Sequence, residues 1–192
     1  MIRLFGLIVL AVAMVGLVPS SLAGPIVYVA TLTGPNENPP NASTATGQAE
    51  VDVDLVAHTL RAREVFSGLT SGTTASHIHS AVAPPGNAPV VLPFTLFPTG
   101  VTSGTYDQTF DLTLTSTYTA AFVAANGGTA AGAEAALEAS LAAGTSYVNI
   151  HTPTFPGGEI RGFLSVPEPA SIGLMAVGAL GLLLASRRRA RR

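Results

Sequence analysis

The chain of 192 residues contains no cysteine and no tryptophan, and all nine of its basic residues are arginine. No disulfide can brace it, so a fold outside the cytoplasm must rest on its hydrophobic core. Positive charge is scarce as well. Six of the nine arginines lie at the extreme ends, leaving Arg61, Arg63 and Arg161 against ten carboxylates over 24–166, a net charge of −7. A domain so acidic is a poor match for nucleic acid or for an anionic membrane surface. Catalytic signatures are also missing. No serine sits in a Gly-x-Ser-x-Gly turn, no glycine-rich loop reads as a phosphate cradle, and Asp52 and Asp54 lack the spaced partners of a calcium loop. What remains is concentrated. Three of the four histidines fall in two short segments, Ser76–Ser80 and Tyr147–Thr152.

The two ends read as transport signals. Arg3, the apolar stretch from Leu4 to Val18 and the small residues Ser21 and Ala23 describe a signal peptide over 1–23, removed by signal peptidase after Ala23. The stretch is shorter than the roughly 20 residues a spanning helix needs. At the other end, Pro167, Glu168 and Pro169 precede an apolar run over 172–185 and a cationic stop that includes Arg187, Arg188 and Arg189. A helix breaker, a short hydrophobic transmembrane segment and an arginine cluster in this order resemble the PEP-CTERM sorting signal of Gram-negative bacteria. That resemblance implies recognition and cutting by an exosortase, with membrane insertion lasting only until processing. The expected division is 1–23, 24–166 and 167–192. The middle domain is then exported to the cell envelope, the outer surface or the extracellular matrix.

Between the ends, threonine, valine, glycine and proline favour strands joined by turns. Ile26–Thr33 reads as a first strand. Gly47–Val56 alternates, with Ala49, Val51, Val53 and Leu55 facing inward and Glu50, Asp52 and Asp54 outward. Thr59–Phe66 completes a hairpin, with His58 in the turn. Further strands follow through His77, Pro89–Phe94 and Thr105–Thr115, the last with Tyr106, Phe110, Leu112 and Leu114 as packing residues. Ser146–His151 and Glu159–Ser165 close the series. One segment breaks the pattern. Over 129–143, Ala133, Leu137 and Leu141 recur at helical spacing and Gly144 sits where a helix would stop. About eight strands with one short helix predict an all-β sandwich, flanked by hydrophobic helices from the two signals.

The histidines gain meaning from the two-residue strand repeat. His77 and His79 share one face of their strand, and Tyr147, Asn149 and His151 share one face of theirs. If the strands are neighbours, three imidazoles converge in a spacing suited to copper or zinc. A hydrogen-bonded polar cluster with Asn149, Thr152 and Glu159 accounts for the same residues without any ion. Glu159 and Arg161 alternate along a further strand. They read either as an ion pair with each other, or with Glu159 orienting His151.

At these segments the chain resembles the CHRD domain family. The motifs are Leu32–Pro40, His77–His79, Gly86–Val91, the helix near 131–143, Tyr147–Thr152 and Pro156–Gly162. The resemblance implies an immunoglobulin-like or superoxide-dismutase-like β-sandwich and no defined reaction. A His-x-His strand is loosely similar to the copper site of Cu/Zn superoxide dismutase, but the long zinc loop and the disulfide of that enzyme are missing. The function expected is therefore that of a non-enzymatic exported binding or structural protein, with exopolysaccharide or another envelope component as partner. The alternative is a copper- or zinc-binding domain, extended to redox activity, built on His77, His79 and His151.

Overall fold

The computed structural model describes residues 24–167. The signal peptide at 1–23, Glu168, Pro169, the apolar segment 172–185 and Arg187–Arg189 lie outside the described residues. Pro167 is described, and is exposed at the end of the domain. Among the described residues, no helix is long and apolar enough to cross a membrane.

Eight strands form one antiparallel sheet in the order β5-β4-β7-β8-β1-β2-β3-β6. They are β1 (Ile26–Thr33), β2 (Thr46–Asp54), β3 (Thr59–Ser67), β4 (Ala75–His79), β5 (Val90–Pro93), β6 (Gly104–Asp111), β7 (Tyr147–His151) and β8 (Ile160–Phe163). The eight-stranded β architecture read from the sequence is present. Its strands belong to one continuous sheet that curls on itself. Alternation encodes which face a residue takes and not which strand lies beside which. The seam lies between β8 and β1, joined by the pairing of Thr33 with Arg161 and by a bridge between Val29 and Ser165.

The β2–β3 hairpin follows its sequence closely. Ala49, Val51 and Val53 are buried and pair in register with Glu64, Ala62 and Leu60. Asp54 ends β2 by accepting hydrogen bonds from the amides of Val56 and Ala57 at 2.9 and 2.8 Å, an Asx turn that frees His58 to adopt φ 53°. His58 Nδ1 lies 2.9 Å from Glu134, tying this turn to a helix.

Among the described residues, two α-helices are present where one was expected. The expected helix is α2 (Ala130–Ala142), capped by Thr129 and stopped by Gly144 at φ 66°. A second, α1 (Ala120–Ala125), starts at a Thr119 cap. Its Ala-Ala-Phe-Val-Ala-Ala sequence is too short to show a period. The residues after β6 turn away from the sheet, so Leu114 is 51% exposed and does not pack as expected.

A single core fills the curl. It draws Tyr28, Leu32, Val51, Leu60 and Phe66 from one half, and Ile78, Leu92, Val148, Ile150 and Ile160 from the other. Ala133, Leu137 and Leu141 of α2 join it. Every fully inward position of β4 and β7 is thereby occupied. The histidines at 77, 79 and 151 are left on the outer face of the sheet.

Candidate metal centre

Antiparallel register places the outward residues of β4, β7 and β8 in rows. His79 lies opposite Tyr147 and then Phe163, His77 opposite Asn149 and then Arg161, and Ala75 opposite His151. The small Ala75 leaves room beside His151, and the three imidazoles gather around Asn149. Ring centroids of His77 lie 4.7 Å from His79 and 4.5 Å from His151. One nitrogen from each ring can be chosen so that all three fall within 4.8 Å of one another. His79 also stacks on Tyr147, at 4.5 Å and an interplanar angle of 5°, which fixes its plane.

Backbone carbonyls orient two of the rings. His79 Nδ1 donates to Ala88 O at 2.7 Å, and His151 Nδ1 donates to Pro156 O at 2.9 Å. A carbonyl only accepts, so it selects the Nδ1–H tautomer and leaves Nε2 with a free lone pair, the arrangement a metal-binding histidine needs. The Nε2 atoms of both rings lie 3.0 Å from the same atom, Asn149 Oδ1. His77 differs. Its Nδ1 is buried and has no hydrogen-bond partner among the described residues.

Electrostatics keep the rings neutral. Burial lowers the affinity of His77 for a proton to a pKa of about 3, helped by the other two imidazoles. Burial also lowers His79 and His151, against the opposing pull of their carbonyl partners. Neutral imidazoles are the form in which histidine binds a metal.

Behind the rings lies a sealed polar layer. Arg161, 1% exposed, donates to the carbonyls of Asn36, Pro85 and Gly86 and to Asn87 Oδ1. These acceptors belong to two proline-rich loops, 34–41 and 80–89, which Arg161 pins across the outer face. Its planar guanidinium lies over Tyr147, 4.8 Å from the ring centroid. Glu37, also buried, has a carboxylate oxygen 3.7 Å from Arg161 Nε. Burial raises Glu37 to a pKa of about 7, with Arg161 and the Asn149 amide offsetting part of that shift.

Two expectations are corrected here. Arg161 pairs with Glu37 and the loops, and not with Glu159. Nor does Glu159 orient His151: its carboxylate accepts from Ser43, Thr70 and Thr152 at 2.7–3.0 Å, binding three chain segments together. Burial pushes Glu159 upward, but these hydrogen bonds outweigh it and hold the carboxyl below its ordinary range. Asn149 shares the strand face with His151 in the sequence, whereas Glu37, 112 positions away, carries no local signal of its role.

The CHRD domain model matches residues 28–164, and the PEP-CTERM protein-sorting motif model matches residues 165–189. No curated protein and no solved structure matches the chain significantly. The second match makes this an exported, envelope-associated bacterial protein, processed by exosortase-type machinery.

Proposed function

The chain belongs to the CHRD domain family, and from that premise we propose that it is a non-enzymatic binding protein of the bacterial envelope whose ligand is a copper or zinc ion held by His77, His79 and His151. The observation that carries this reading is the convergence of three neutral imidazoles, one nitrogen of each lying within 4.8 Å of the others. Two of them are oriented by backbone carbonyls and the third has a buried nitrogen without a partner. Leaving such a nitrogen unpaired costs on the order of 1–3 kcal/mol, which an ion would recover. A polar cluster serving only to complete the fold would satisfy these atoms internally.

Metal analysis of the full chain in detergent tests the reading. After equilibration with Cu(II) or Zn(II) and removal of free ion, the wild type retains one ion per chain, and His79→Ala retains none. Equal and near-zero content in both proteins contradicts it.

A second partner is favoured by a separate observation. A cleft of about 350 Å3 is lined by four prolines and Phe163, with Asn36, Glu37 and Asn38 as its polar groups. An apolar floor with amide groups at its rim suits a sugar ring of an exopolysaccharide. Phe163→Ala would weaken retention on a polysaccharide matrix while leaving metal content unchanged.

A further inference from the structure

The contacts of Asn149 contain a conflict that hydrogen bonding within the protein leaves standing. Nδ1 of His79 and of His151 must each carry the ring proton, because each faces a carbonyl oxygen. Their Nε2 atoms are then lone-pair acceptors, yet both lie 3.0 Å from Asn149 Oδ1, which is also an acceptor. Three acceptors converge with no proton between them. Either a cation sits among them or the amide is turned end for end, so that Nδ2 donates to both rings.

The surroundings of the amide decide between these. On its far side Asn149 Nδ2 lies against Glu37. A Cβ added at Gly158 would sit 2.5 Å from Glu37 Oε1 and 2.6 Å from Asn149 Nδ2, so the two groups meet over the one residue without a side chain. The Asn149 amide lies close enough to lower the Glu37 carboxyl against its burial, although Oε1 has no hydrogen bond of good geometry among the described residues. Turning the amide would put Oδ1 on the Glu37 side and take the amide donor away from it. Glu37, itself held beside Arg161 at 3.7 Å, therefore orients the oxygen of Asn149 toward the histidines.

We propose that Asn149 Oδ1 is the fourth donor of the site, completing with His77, His79 and His151 an N3O set for a divalent ion. The proposal rests on the metal-binding reading above. Donors 3.0 Å apart fit around a single ion with bonds of about 2 Å. Three imidazoles and an amide oxygen bring no charge and no soft sulfur, so the site takes Zn(II) or Cu(II) in preference to Cu(I). Glu37 is a positioning residue: it acts through the amide and does not itself reach the ion.

The test compares Asn149→Leu and Asn149→Asp in the full chain in detergent, titrated with Zn(II) and with Co(II) as a visible-absorption probe. Asn149→Leu weakens Zn(II) binding by about 10- to 100-fold and changes the Co(II) spectrum. Asn149→Asp keeps an oxygen donor but cannot donate as an amide, and it binds more tightly than Asn149→Leu. Unchanged binding and spectrum in Asn149→Leu would overturn the proposal. So would equal weakening in both variants, since that would show the amide NH2 to be the required group. Should either variant fail to fold, the wild type still decides. Zn(II) shifts the Asn149 side-chain NH2 resonance of 15N-labelled protein, and an unmoved resonance in the metal-bound chain contradicts ligation. Absence of metal binding by the wild type would instead refute the underlying function.

Discussion

The outer face of the sheet is polar at both ends, but the two ends are treated in opposite ways. Over β2, β3 and β6, Arg63 pairs with Glu50 and Asp52, and Arg61 pairs with Asp107 at 2.5 Å; Arg61, Asp107, Arg63 and Glu50 keep contact with water, while Asp52 is mostly covered. Over β4, β7 and β8, the loops 34–41 and 80–89 and the turn after His151 pack against the outward residues, leaving His77, His151 and Phe163 half-buried. Arg161, Asn149 and Glu37 are buried there, and the histidines are held neutral. Both faces show the same alternation in sequence. Water makes the difference. Solvated pairs contribute little and need no further partner, whereas a sealed polar face must satisfy every group or take up something that does.

Removing Arg161 strikes the sealed face hardest. Arg161→Met leaves Glu37 buried without its countercharge and removes four hydrogen bonds to the two loops, so it costs about 3–5 kcal/mol, read by urea unfolding at neutral pH. A cost below about 1 kcal/mol would show that the two faces are energetically alike.

The core between the faces supplies a third setting, and an effect of the next size. Glu64 points inward from β3, 1% exposed, accepts from Ser76 Oγ at 3.0 Å and lies near Tyr106. Burial raises its pKa from 4.5 to about 8. The folded chain therefore holds this proton more tightly than the unfolded chain. The contribution is fully present below pH 4.5 and is lost as pH rises to about 8. Between pH 5 and pH 8 the loss is on the order of 3 kcal/mol. Glu64→Gln removes that slope. Urea unfolding of both proteins at pH 5 and pH 8 checks it, and an identical slope in the variant would contradict the assignment. The smallest effect belongs to the solvated face. Arg63→Ala changes stability by less than about 1 kcal/mol, and the difference shrinks further in high salt.

Much of the strand pattern was legible because alternation at Ala49, Val51 and Val53, or at Tyr106 and Phe110, follows directly from burial of one face. The shared face of His77 and His79 was legible for the same reason, as was that of Asn149 and His151. Adjacency of β4 and β7 was not, since they are separated by β5, β6 and both helices. Neither was the sealing of the face. It depends on Glu37 reaching Asn149 and on Arg161 reaching the loop carbonyls, contacts between distant segments that no local period records. Glu159 shows the same limit from the other side. Its neighbour in sequence suggested Arg161 as a partner, while Ser43, Thr70 and Thr152, the first two from distant segments, are the groups it binds.

Electron paramagnetic resonance of the full chain loaded with one equivalent of Cu(II) tests the central claim most directly. Three imidazole nitrogens coupled to the copper, reduced by one in each of His77→Ala, His79→Ala and His151→Ala, is the predicted result. A spectrum with no imidazole coupling, or one that none of these substitutions alters, would contradict it.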